Sequence, residues 1–271
     1  MIRDITIGQH FPGNSILHRL DPRMKIILTM AYIILLFIAA NPAGLALAAV
    51  LLGILYRVAN ITLRIILKSL KPILPIIVFT VVLNLFFITG ESQPLVEIGF
   101  VKIYLEGIRY AVLMGVRIIL LIAGTSLLTY TTSPIALTDA IERLLSPLSK
   151  LRLPVHELAM VMTIALRFIP TLIEETDKIM NAQKARGAQL DSGTLQQRMK
   201  AMVPILIPLF VSAFRRADEL AMAMECRCYR GGEGRTRLKQ LRLTGKDWLC
   251  CVVCVVLFAA IWCTNFFFTG L

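Results

Sequence analysis

Residues 24–59 hold two long apolar runs back to back: MKIILTMAYIILLFIAA, an Asn41-Pro42 step, then AGLALAAVLLGILYRVA. Few folds can house such a segment. It needs a bilayer around it, and about 20 apolar residues cross a hydrocarbon core of about 30 Å. Each half is slightly short for that, and Asn-Pro marks a turn, so the pair reads as a tight helical hairpin. Three further runs follow: PILPIIVFTVVLNLFFIT (72–89), GIRYAVLMGVRIILLIAGTSLLTYTT (107–132) and DWLCCVVCVVLFAAIWCTNFFF (247–268). Composition agrees. The chain is 57% hydrophobic and 17% charged, with a mean hydropathy of +0.74, against roughly 45–50% and 25% in soluble domains. The expected fold is therefore an all-α integral membrane protein of about five transmembrane helices. Residues 1–132 form an N-terminal membrane domain with spans near 24–40, 43–59, 72–89 and 107–132. Residues 133–246 form a cytoplasmic or interfacial region of amphipathic helices, and 247–271 the last span. The opening MIRDITIGQHFPGNS is polar, and no small-residue cleavage site follows, so the first run is expected to stay in the membrane.

Charge sets the orientation. The net charge is +12, and cytoplasmic loops carry the Lys and Arg excess in membrane proteins. Arg3, Arg19, Arg23 and Lys25 precede the first span. Arg57, Arg64, Lys68 and Lys71 follow the second, partly as an amphipathic surface helix. The 135–246 region is also basic, whereas the 90–106 loop carries Glu91, Glu97 and Glu106. One topology satisfies all of these: N-terminus and 133–246 inside, acidic loop and C-terminus outside. No nucleic-acid recognition module accompanies the positive charge. Asn84 and Arg117 are the notable polar residues within spans. Arg117 is expected to snorkel or to pair between helices.

The basic region repeats one plan. Ser133-Pro134 is a cap followed by proline at the first helical position, opening a helix over 133–151. A longer helix covers 155–187, with a kink or restart at Pro170, Arg186 in its last turn and Gly187 as a C-cap. AMVPILIPLFVSAF (201–214) is apolar but short, with Pro204 and Pro208 inside, and reads as a buried or interfacial helix rather than a span. Residues 207–232 then show apolar side chains at helical spacing, with Arg227 near the end and Gly231-Gly232 beyond. Two helices thus end in a cation flanked by small residues. One explanation is the helix macrodipole, worth roughly 0.3–1 kcal/mol for a C-terminal cation. The other is docking, because a guanidinium grips a carboxylate with two parallel hydrogen bonds. Met160, Met162, Met199, Met202, Met222 and Met224 are either core or an adaptable contact surface.

Catalytic and metal chemistry lack the usual patterns. Cys226 and Cys228 form a C-x-C with no His or further Cys close by. Cys250, Cys251, Cys254 and Cys263 lie in the last span as small hydrophobes. His10, His18 and His156 are far apart. Gly231-Gly232-Glu233-Gly234 lacks the Lys and Ser/Thr of a phosphate loop. No catalytic residue, metal site or bound cofactor is expected.

The residues also resemble a known family. LHRLDPRMK (17–25), LRFIPTLIEETDKIMNAQKARG (166–187) and IPLFVSAFRRADELAMAMECRCYRGG (207–232) are similar to segments of the transmembrane T component of energy-coupling factor transporters, and the likeness extends over nearly the whole chain. It implies a non-catalytic subunit of an ABC-type importer in a prokaryotic cell membrane, with 133–246 supplying its coupling helices. Two cytoplasmic ATPases would bind ATP and Mg. A membrane-embedded S component would capture a vitamin or other micronutrient, and this chain would join them. The family's two Ala-Arg-Gly docking motifs fall on Ala185, Arg186 and Gly187, and on Cys226, Arg227 and Cys228. The second departs from the pattern. Losing glycine there predicts a helix that runs on toward Gly231. The alternative from the residues alone is an integral membrane enzyme acting on lipid-linked substrates at the cytoplasmic interface, and a third reading is a membrane anchor for a cytoplasmic partner. The transported substrate, the number of S components and the stoichiometry are not readable from the sequence.

Overall fold

The computed structural model describes residues 11–39, 41–88, 96–98, 101–147, 154–188, 194–231 and 243–267. Described elements run α1 (Ile16–Arg19), α2 (Pro22–Ile38), α3 (Pro42–Ala59), α4 (Leu63–Leu70), α5 (Leu74–Phe87), β1 (Val96–Ile98), β2 (Val101–Ile103), α6 (Leu105–Thr131), α7 (Pro134–Leu145), α8 (Val155–Ala185), α9 (Leu195–Cys226) and α10 (Gly245–Phe267). The all-α membrane class holds. The small departure is the β1–β2 hairpin, which pairs Val96 with Ile103 and Glu97 with Lys102 in the acidic loop. The chain divides into two compact units. One holds the described residues up to 140 and from 243 onward. The other holds those from 141 to 231.

The first unit is a helical bundle packed through small residues. On α3, Leu45, Ala48, Leu52, Tyr56 and Ala59 recur at helical spacing and are all buried. They meet Leu35 and Leu36 of α2, Leu120, Ala123 and Leu127 of α6, and Ile261 of α10. Small side chains let helix backbones approach closely where lipid removes any hydrophobic drive to associate. At Gly124 a Cβ would stand 2.3 Å from the Tyr32 ring, so α2 can lie against α6 only with glycine there. Tyr32 and Tyr56 send their hydroxyls to the α6 carbonyls of Leu120 (3.4 Å) and Ala123 (2.8 Å).

Both ends of this bundle are closed by polar groups. At the 39–41 break, Arg117 donates to the Ala39 carbonyl (2.6 Å) and Asn265 to the Ile38 carbonyl (2.6 Å). These are the carbonyls that the end of α2 leaves without an intrahelical partner. Arg117 thus pairs between helices, the second of the two expectations for it. Asn84 donates within its own helix, to the Thr80 carbonyl.

At the other end Asp21 caps α2 through the Arg23 N–H (2.9 Å), with Pro22 at the first helical position. Its own N–H donates to Asp247 of α10 (2.9 Å), whose second oxygen accepts from the Thr244 N–H (2.7 Å). Lys25 donates to the Thr131 carbonyl (2.9 Å) at the C-terminus of α6. Asp21, Lys25 and Asp247 are 5%, 8% and 1% exposed, so this network ties three helices together away from water. Of the LHRLDPRMK segment, Asp21 and Lys25 belong to this network, and Arg23 pairs with Asp21.

Among the described residues, five helical stretches are long and apolar enough to cross a membrane: Pro42–Ala59, Arg64–Phe87, Leu105–Thr131, Val155–Ala185 and Asp247–Phe266. The number matches expectation, but the membership differs. α2 has 17 residues, about 25 Å at 1.5 Å per residue, and falls short of that length. α8 joins the set through its apolar first half. The basic 57–71 segment is drawn into helix: α4 runs through a 3-10 turn at Lys71–Ile73 toward α5, extending the third span at its basic end.

The second unit holds the long helices α8 and α9. Pro170 neither ends nor restarts α8, which is continuous from Val155 to Ala185. α9 likewise runs unbroken through Pro204 and Pro208, so the 201–214 stretch and the 207–232 helix are one element. Thr194 starts it with a capping box closed by Gln197. The apolar stretch within it is not buried: Met202, Ile207, Phe210 and Phe214 are more than half exposed, and Ile205 is the buried exception. α7 begins as its cap predicted, with the Ser133 hydroxyl accepting the Ala136 N–H, but ends at Leu145. The remainder of the expected 133–151 helix from 148 lies outside the described residues.

Candidate functional site

The two arginine segments close α8 and α9 with the same backbone geometry. At the end of α8, Ala185 is the last helical residue and Arg186 the cap (φ −84, ψ 5). Gly187 follows at φ +88. The Gly187 N–H donates to the Lys184 carbonyl (3.0 Å) and the Ala188 N–H to Gln183 (3.0 Å). These two bonds, from the first and second residues past the cap to the second and third carbonyls before it, define a Schellman motif. At the end of α9, Cys226 is the last helical residue and Arg227 the cap (φ −92, ψ 12). The Cys228 N–H donates to Glu225 (2.9 Å) and the Tyr229 N–H to Met224 (3.0 Å).

The second motif is thus a copy of the first, although cysteine stands in the place of glycine. Cys228 takes the left-handed conformation itself, at φ +53. This corrects the expectation that the helix would continue toward Gly231. The two orphan carbonyls gain partners only if the residue after the cap turns left-handed, and that gain outweighs the steric cost of a Cβ there.

Each cap leaves its arginine facing outward. Ala185, Arg186, Gly187, Cys226, Arg227 and Cys228 are all exposed, and among the described residues neither guanidinium is paired with a carboxylate. Arg186 is the cap itself rather than a last-turn residue. It stands exposed between two small residues, Ala185 and Gly187.

α8 and α9 run antiparallel, as four contacts show in which the partner's number on α9 or just past it falls as the number on α8 rises. Gln183 donates to the Pro204 carbonyl (3.4 Å). Glu175 accepts from Ser212 and Arg216. The Tyr229 hydroxyl donates to the Met160 sulfur (3.1 Å). The two arginines consequently stand at opposite ends of the pair. Met160 lies 26 positions before Arg186, so at 1.5 Å per residue the two caps are roughly 40 Å apart. Periodicity could not give Glu175, Ser212 and Arg216 a role, because partners on different helices leave no spacing signal. Of the methionines, Met162, Met199, Met202 and Met222 are more than half exposed and so are not core; Met160 and Met224 are half-buried.

The sequence profile of the family described as cobalt transport protein (CbiQ) matches residues 13–238, most of the chain. The chain belongs to this family. Its relatives are named energy-coupling factor transporter transmembrane protein EcfT. That of Ruminiclostridium cellulolyticum is 57% identical over 256 residues, covering 94% of this chain and 95% of its own length. That of Clostridium kluyveri is 55% identical over 267 residues, covering 97% and 99%. That of Bacillus subtilis is 48% identical over 259 residues, covering 96% and 97%. The chain is thus an EcfT-type transmembrane component of an energy-coupling factor transporter, and the two arginine caps are features of a family member.

Proposed function

We propose that this EcfT-type chain is the non-catalytic coupling subunit of the importer, with α8 and α9 as its coupling helices. Arg186 docks on one cytoplasmic ATPase and Arg227 on another. ATP and Mg bind to those partners, and a membrane-embedded S component delivers a vitamin or other micronutrient from outside. The chain lies in the cell membrane of a prokaryote. Its N-terminus and residues 133–246 face the cytoplasm, and its C-terminus faces outward. Residues 1–132 and 247–271 serve as the membrane domain.

The observation that carries this reading is the duplicated cap. A single exposed arginine at a helix end is sufficiently explained by the macrodipole. Two exposed arginines on matching Schellman turns, with no carboxylate partner among the described residues and at opposite ends of an antiparallel pair, suit two acidic grooves on two like partners. An exposed guanidinium can make the bidentate contact it favours. Closure of the ATPases around ATP would then displace both helix ends together.

The test is co-purification of the ATPases with the unaltered chain, with Arg186→Glu, with Arg227→Glu and with the double variant. Reversal of charge is expected to weaken capture by each site while membrane insertion is unchanged. A well-inserted double variant that still holds both ATPases refutes the docking role.

A further inference from the structure

The contact between α8 and α9 is unusual for two helices of 31 and 32 residues. Among their described side chains, Val155 and Ile205 are the buried ones. Apolar interdigitation therefore does little to fix how far one helix has slid along the other. The polar contacts do more, and they are arranged as register marks.

The central mark is Glu175. Both of its oxygens are used: one accepts the Ser212 hydroxyl, the other the Arg216 guanidinium at 2.5 Å. Ser212 and Arg216 are four residues apart and so share one face of α9. A carboxylate bridging that pair is satisfied in one axial position only. A slip of one turn, about 5.4 Å, breaks both bonds. The second mark is Gln183 on the Pro204 carbonyl. That carbonyl is available because residue 208 is proline and lacks the N–H that would otherwise take it. Pro208 thus opens a notch in α9, and Gln183 fills it from α8.

We propose that Glu175, Ser212 and Arg216 are positioning residues for coupling: they form the fulcrum that holds α8 and α9 in one register, so that displacement at the Arg186 and Arg227 ends turns the pair as one body instead of being absorbed by sliding. This rests on the reading of α8 and α9 as coupling helices. Polar groups that specify register while adding little stability have this use in other helix pairs. The node is partly buried, with Arg216 and Glu175 side chains 31% and 22% accessible, so it is neither free surface nor structural core.

The experiment uses cells of the source organism carrying the variants in the native chain, with tritiated riboflavin, thiamine and folate as probes. Uptake and the amount of ATPase co-purified per chain are read in parallel. Glu175→Ala and Arg216→Glu are expected to retain both ATPases yet lower uptake about fivefold or more, within the range by which residues remote from either ligand alter coupling. The exchanged pair Glu175→Arg with Arg216→Glu is expected to recover most of it. Unchanged uptake in the single variants overturns the fulcrum, as does loss of the ATPases together with uptake, or an exchanged pair as impaired as the single variants. If the unaltered chain co-purifies with no ATPase at all, the transport reading itself fails, and the fulcrum with it. If uptake survives Arg186→Glu with Arg227→Glu but not Glu175→Ala, the docking reading alone is lost.

Discussion

Cys228 shows how much of a helix end is decided by backbone hydrogen bonds. Its φ of +53 costs an L-residue roughly 1–2 kcal/mol, and glycine would avoid that cost. Cys228→Gly should therefore stabilise the end of α9 by about 1 kcal/mol, leave ATPase capture intact, and slow amide exchange at Tyr229 in hydrogen–deuterium exchange. The arginines were legible because their surroundings recur; the cap geometry at Cys228 was not, since residue type alone predicted a longer helix. The buried charges at the other unit's polar end give a second prediction at this scale. Asp247→Ala leaves the Asp21 and Thr244 N–H groups unpaired and Lys25 short of a nearby negative charge. Breaking such a buried network should cost about 3–5 kcal/mol, read as a fall in the detergent-solubilised protein's unfolding midpoint. Lys25 looked in sequence like one more basic residue before a span, and nothing in its neighbourhood announced Thr131 or Asp247.

Among the elements, the apolar runs were legible because a bilayer demands them, and α2 gives way to α3 near Asn41-Pro42 as the turn residues suggested, although the two helices pack on α6 and α10 rather than tightly on each other. In the long helices the restart offered for Pro170 is absent, and 201–214 is helical through Pro204 and Pro208 as expected, within one element that continues to Cys226. At Pro208 the freed carbonyl of Pro204 finds Gln183 on the neighbouring helix, a partner with no trace in the local sequence. Helix contact in the first unit yields its own test. Gly124 lies directly under Tyr32, so Gly124→Leu should separate α2 from α6. Overpacking of this kind costs about 1–3 kcal/mol or more. Reduced yield and an earlier thermal transition are expected, with Gly53→Ala as the control, since nothing lies within 4 Å of a Cβ at Gly53. An equally large effect at Gly53 would show that any added side chain is harmful and that the α2–α6 approach is not special.

For the molecule as a whole, the family and the membrane class were within reach of the sequence, because length, apolar runs and the two arginine segments are all linear features. The antiparallel pairing that separates the arginines was not, since it depends on which faces of α8 and α9 meet. That separation makes the central claim countable. Two docking points on one chain imply two ATPases per chain, each held by its own arginine. Native mass spectrometry of the purified complex measures this directly. The account predicts two ATPases on the unaltered chain, one on Arg186→Glu, one on Arg227→Glu and none on the double variant. Two ATPases on the double variant, or a simultaneous loss of both from either single variant, would contradict it.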